Sequence, residues 1–115
     1  MKENIIKDKS FAFAVEMVNL YKTLAYSKKE FVMSRQLLKS GTSIGANVRE
    51  AEFAQSKPDF INKMSIGLKE ANETDYWIDL LHATDFLDEQ EFEKYKPKSQ
   101  EMLRLLVSIV KASKE

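Results

Sequence analysis

SGTSIGANVREA, residues 40–51, reads as the middle of a helix, yet it holds two glycines, Gly41 and Gly45. Glycine costs about 1 kcal/mol relative to alanine inside a helix. Spacing of four puts both on neighbouring turns of one side, where a missing Cβ lets a neighbouring backbone or a large side chain come close. We therefore read Gly41 and Gly45 as a close-packing site, with Tyr76, Trp77, Phe11 and Phe13 as candidate neighbours. On the same helical wheel Gln36, Ser40, Ser43, Asn47 and Glu50 flank the apolar stripe, at the border between core and surface. Polar groups covered there need partners. A later segment offers Glu70, Asn72, Glu73, Thr74 and Asp75. The expectation is an interhelical hydrogen-bond network of Ser43, Asn47, Glu50, Glu70 and Glu73, with Arg49 or a lysine neutralising part of the acid. Such networks select one packing at some cost in stability.

Working outward, this stretch belongs to the second of four expected helices. The second helix is predicted from about Lys29 to Ala54, with Met33, Leu37, Ile44, Val48 and Ala51 in a narrow sector. The first is predicted from about Ser10 to Tyr26, on Phe11, Val15, Val18 and Ala25, with Leu20, Tyr21 and Leu24 widening the stripe and Asp8 or Ser10 as cap. Ser56, Pro58 and Asp59 mark the start of a long third helix that ends near Leu87. Its apolar side is read as Phe60, Met64, Leu68, Ala71, Trp77 or Ile78, Leu81 and Phe86. The fourth is predicted from Glu89 to about Ala112, behind Asp88 as cap, with a kink or break near Lys96 because Pro97 interrupts it. Its stripe of Met102, Leu103, Leu105, Leu106, Ile109 and Val110 is wide for one partner helix, which suggests a second buried contact, such as another subunit. Four helices with short connections predict an all-α, antiparallel up-down-up-down four-helix bundle, one domain over residues 1–115.

Composition agrees with an all-α chain: three glycines and two prolines in 115 residues are few structure breakers. The chain lacks cysteine, which excludes disulfides and thiolate chemistry. No apolar run approaches the roughly 20 residues of a membrane span, and the N-terminus lacks the apolar stretch of a signal peptide. A cytoplasmic protein with no membrane partner is the expectation. Net charge is zero, unlike a dedicated polyanion binder, but the charges are segregated. Residues 70–93 hold nine Asp/Glu and no Lys or Arg, whereas residues 1–39 hold eight Lys/Arg against four acids.

Catalytic chemistry finds no support. Di-iron bundles need two Glu-x-x-His pairs, and this chain has one histidine, His82, three residues after Asp79. Glu50, Glu70 and Glu73 could add carboxylates, but the second histidine is missing, so no metal or other cofactor is expected. Ser43 lies in no strained elbow or oxyanion loop, and neither phosphate-binding glycine motif occurs. Nucleic-acid binding is the open alternative. Its candidate contacts are Lys22, Lys28, Lys29, Arg35 and Lys39 around the first turn, and Lys94, Lys96 and Lys98 beside Pro97. Phe and Tyr residues read better as core than as base-stacking platforms.

The run from Arg35 to Leu81 resembles the four-helix-bundle family encoded in intervening sequences of bacterial 23S rRNA genes. The resemblance rests on Gln36, on Ser43, Ile44, Asn47 and Glu50 in a Ser-Ile-x-x-Asn-x-x-Glu pattern, and on Glu70, Glu73 and Thr74. Ala51 stands where members often have glycine. The resemblance implies a homo-pentameric ring, closed head to tail. It also relates the chain to accessory proteins of diversity-generating retroelements, which are basic and work with a reverse transcriptase and nucleic acid. The resulting expectation is a non-enzymatic homo-oligomeric scaffold, associated with nucleic acid (RNA or DNA) or with a nucleic-acid enzyme. A pure protein-interaction module is the alternative, and a carboxylate-bridged metalloprotein a more remote one.

Overall fold

Leu24, Leu37, Leu81 and Leu106, one from each quarter of the chain, are all fully buried, and the helices that carry them form an antiparallel four-helix bundle. The computed structural model describes residues 2–115. Helix α1 spans Lys2–Lys22 and runs into a single π turn, Thr23–Ser27. Helix α2 spans Met33–Glu52, α3 Lys57–Ala83 and α4 Glu89–Lys114. Each helix packs on the next, and α4 returns to α1, giving a rod of 44 × 20 × 19 Å.

The buried positions alternate steps of three and four. They are Ile6, Ser10, Phe13, Met17, Leu20 and Leu24 on the first arm, and Ser34, Leu37, Gly41, Ile44, Val48 and Ala51 on α2. On α3 they are Met64, Gly67, Ala71, Thr74, Ile78 and Leu81, and on α4 Tyr95, Ser99, Met102, Leu106 and Ile109. Such spacing keeps one seam of each helix facing its partners and is the pattern of nearly parallel or antiparallel helices that interdigitate.

Several boundaries and faces differ from the sequence expectation. Helix α1 begins well before Ser10, whose hydroxyl donates to the Lys7 carbonyl from within the helix instead of capping it. Of the stripe read for it, Leu20, Leu24 and Ala25 are buried, but Phe11 and Val15 are not. Phe11 and Val15 are 60% and 45% exposed, because α1 is apolar on two sides and the seam follows the other one. Helix α2 starts at Met33, since Lys28 to Val32 complete the turn, with Lys29 in the left-handed region at φ 58°. Helix α4 is not broken at Pro97. The proline is exposed, so the Glu93 carbonyl that loses its donor meets water. The width of the α4 stripe is taken up within the chain, because α4 packs on both α3 and α1; Val107 is its exposed large apolar residue.

Helix starts show how the turns are fixed. Ser56 accepts from the Asp59 N–H at 3.2 Å, with Pro58 in the first turn. Asp88 and Glu91 form a reciprocal capping box at 2.8 and 3.0 Å. Helix α2 has no side-chain cap at Val32. Instead Glu30, 8% exposed, accepts from the N–H groups of Val32, Met33 and Ser34 at 3.1, 3.0 and 2.6 Å. The Ser34 hydroxyl donates back to the Glu30 carbonyl at 2.6 Å. Glu30 is itself held by its N–H donating to the Leu24 carbonyl at 2.9 Å, across the π turn.

Candidate functional site

The central segment brings α1 and α2 together. A Cβ on Gly41 would stand 2.5 Å from Cγ and 2.9 Å from Cβ of Met17, and one on Gly45 would stand 3.3 Å from the Ser10 carbonyl oxygen. The neighbours are therefore a methionine and a backbone of α1, not Phe11, Phe13, Tyr76 or Trp77. A third glycine, Gly67, sits against Leu106 of α4, 3.7 Å from where its Cβ would be.

The polar flank is built differently from the expected network. The Ser43 hydroxyl donates to the Lys39 carbonyl at 2.6 Å, and Asn47 Nδ2 donates to the Ser43 carbonyl at 2.9 Å. Both bonds close on α2 itself, each on the second lone pair of the carbonyl one turn back. Glu73 accepts from Trp77 Nε1 at 3.2 Å within α3. The Glu70 carbonyl, not its carboxylate, accepts from Thr74 at 2.8 Å. Glu50 alone of the five crosses to another helix, in an exposed pair with Lys63 at 3.2 Å. The buried polar contact between α2 and α3 lies further in: Thr74 Oγ1, whose one proton goes to the Glu70 carbonyl, accepts from the Ser40 hydroxyl at 2.8 Å, both residues fully buried.

A second polar joint links α3 to α4. Ser99, 1% exposed, donates to Asp75 at 2.9 Å; Lys96 reaches Asp75 at 2.8 Å and Asp79 at 2.9 Å. Burial works against the Lys96 charge, but the hydrogen bonds and attraction of Asp75 and Asp79 outweigh it, so its pKa rises above the usual 10.5. A raised pKa contributes stability that is complete below 10.5 and is lost as pH climbs through the folded value. We expect the unfolding free energy of the wild type to fall more steeply above pH 10.5 than that of Lys96→Met. Denaturant titrations across that range, with parallel slopes for the two proteins, would refute this. Ser99 acts here as a donor to a carboxylate, so the trio is a structural joint and not an activated nucleophile.

His82, half-buried, pairs with Glu89 through Nε2 and stacks on Phe92 with ring centroids 3.9 Å apart. Among the described residues, no group of three or more His, Asp or Glu could hold a metal ion.

The eight candidate cations fall into two sets. Lys28 pairs with Glu91 at 2.8 Å and donates to the Phe86 carbonyl, Lys98 pairs with Glu16 at 2.6 Å, and Lys96 is held as described. Lys94 lies 5.2 Å from the centre of the Tyr95 ring. Lys22, Lys29, Arg35 and Lys39 are exposed and make no ion pair among the described residues. All four lie at or near the α1–α2 turn. The sequence reading treated every aromatic as core, but Tyr26 and Phe31 at this turn are 64% and 51% exposed. Up the same outer face, Phe11, Ala14, Thr42, Gly45 and Ala46 line an apolar groove of about 440 Å³ between α1 and α2, with Lys7, Arg49 and Glu50 at its rim.

The family described as "23S rRNA-intervening sequence protein" matches residues 2–108. The chain belongs to that family. Among solved structures, this 23S rRNA-intervening sequence protein is similar to a protein of unknown function from the S23 ribosomal protein family of Bacteroides thetaiotaomicron VPI-5482. The two are 58% identical over 96% of this chain and 99% of the other, with a TM-score of 0.94. No curated protein matches the chain. No described helix is long and apolar enough to cross a membrane.

Of the residues that carried the sequence resemblance, Ile44, Asn47 and Thr74 lie in the α2–α3 contact. Ile44 is fully buried, Thr74 makes the buried bond to Ser40, and Asn47 packs beside Gly67. Ser43, Glu50, Glu70 and Glu73 lie nearer the surface. The pattern thus marks one helix pairing and its solvent border.

Proposed function

We propose that this 23S rRNA-intervening sequence protein is a non-enzymatic scaffold that assembles with copies of itself, as a closed ring of five, and associates with nucleic acid. The observation that carries the assembly is the apolar outer face of α1. Phe11 and Val15 stand in solvent on one side of that helix, beside the α1–α2 groove. Exposed apolar side chains beside a concave, apolar surface mark an interaction site. A ring needs a head-to-tail contact between two different surfaces. The acidic stretch of residues 70–93 and the basic side of α1 and α2 supply complementary charge for one.

Sedimentation equilibrium tests the assembly. The wild type is expected as one species of five times 13.3 kDa, and Phe11→Glu as the 13.3 kDa chain with its helix content intact. A wild type that sediments as a single chain would end this reading. The association with nucleic acid rests on the unpaired cations of the α1–α2 turn. Gel-shift titration against structured RNA and duplex DNA at two salt concentrations tests it, and a binding constant that falls with salt is expected.

A further inference from the structure

The α1–α2 turn combines two features that the fold does not use. One is charge without compensation. From Met17 to Arg49 the only acid is Glu30, against six lysines and arginines. Glu30 is buried, and its carboxylate is occupied by three backbone N–H groups of α2. It therefore presents no carboxylate to the surface. Among the described residues, Lys28 alone of the six cations is neutralised by an acid, Glu91. Lys22, Lys29, Arg35 and Lys39 face water and make no ion pair among the described residues, while Lys28 ties this turn to the acidic α3–α4 turn through Glu91 and the Phe86 carbonyl.

The other feature is flat aromatic surface among those cations. Tyr26 follows Lys22 by one turn and stands edge-on to Tyr21, with ring centroids 6.3 Å apart. Phe31 precedes Arg35 by four residues, and Arg35 precedes Lys39 by four, so helical spacing places the two cations on one side of α2. Burial does not account for either ring: both are more than half exposed, while the core beneath them is closed by Leu24 and Leu37. An exposed ring costs hydration and returns no packing unless something covers it.

Cations at backbone spacing interleaved with exposed rings fit one ligand class. Phosphates are met by Lys and Arg, and unpaired bases stack on aromatic faces. A duplex keeps its bases stacked inside and offers these rings nothing. We propose that the α1–α2 turn is a binding site for single-stranded nucleic acid, with Tyr26 and Phe31 as stacking platforms and Lys22, Lys29, Arg35 and Lys39 as phosphate contacts. The proposal rests on the nucleic-acid part of the function proposed above and adds the strandedness of the ligand and the residues that read it.

Fluorescence anisotropy tests it on the full chain, using a labelled single strand of about 12 nucleotides and the duplex of the same length. Single-strand binding tighter than duplex binding is expected. Tyr26→Ala combined with Phe31→Ala should weaken the single-strand complex about tenfold and leave the duplex unchanged, since stacking on a ring is worth that much or more per base. Arg35→Glu combined with Lys39→Glu should weaken both. Equal affinity for both ligands, untouched by loss of the rings, would overturn the proposal and leave the broader nucleic-acid reading standing. No binding of either ligand would remove both. Sedimentation of the ring variant separates the competing occupant: a changed assembly with unchanged binding would make this turn a contact between copies and overturn the proposal.

Discussion

Gly41→Val should lower the stability of the bundle by about 3 kcal/mol, the upper part of the usual cost of overfilling a core. The new Cβ would fall 2.9 Å from Cβ and 2.5 Å from Cγ of Met17. A change of χ1 can swing Cγ away but leaves Cβ where the backbone holds it, so a rotamer change alone cannot clear the clash. Either Met17 leaves the seam, where it is fully buried, or α1 lifts from α2. Urea denaturation followed by circular dichroism measures the loss, and combining Gly41→Val with Met17→Ala should recover part of it. Mutations in direct contact are not additive, and here the coupling should favour the double variant. A neutral Gly41→Val would mean that the two helices do not meet at this point. Gly45→Ala is the milder comparison, because its nearest neighbour is the Ser10 carbonyl at 3.3 Å and a small shift relieves it.

Glu30→Ala should cost about 2–3 kcal/mol. A lost cap costs roughly 1–2 kcal/mol, and bonds to a charged group are worth more than neutral ones. One carboxylate here serves three N–H groups at the positive end of α2, at 2.6 to 3.1 Å. Removing it leaves those donors partly buried, where water replaces the carboxylate poorly. Glu30→Gln keeps one acceptor oxygen and should lose about half as much. Thermal melts of the three proteins would settle the order. An alanine variant as stable as the wild type would show that water caps α2 equally well.

The all-α class, the four helices and their order were legible because each helix carries a cap or a breaker and an apolar run. Ser56-Lys57-Pro58-Asp59 and Asp88 to Glu91 mark helix starts that the structure places at Lys57 and Glu89. The start of α2 was not legible, since its cap is a glutamate three residues ahead of the helix and works only once the π turn has placed it. The buried side of α1 was legible only towards its C-terminal end, where Leu20, Leu24 and Ala25 lie in the core; Phe11 and Val15 have the same spacing as Phe13 and Met17, and only contact with α2 and α4 decides between them. The polar flank of α2 was legible in part: Ser40 meets Thr74 and Glu50 meets Lys63 across the α2–α3 contact, whereas Ser43 and Asn47 reach carbonyls of their own helix. Pairings between helices depend on tenths of an ångström that periodicity does not carry. The rings of the α1–α2 turn were missed for the opposite reason: an aromatic residue in a sequence defaults to the core, and only coordinates show it standing outside.

Met17 lies over Gly41, and Leu106 over Gly67, a large side chain facing an absent one in each case. A bundle lined evenly with leucine can slide by seven residues, about 10.5 Å, and find equivalent neighbours. This one cannot. A slip of that length carries Met17 off its hollow and onto Ser34 or Val48, and empties the space it left. One notch, cut by nothing more than a missing methyl group at Gly41, therefore gives α1 and α2 a single alignment, as the tooth of a key does for a lock.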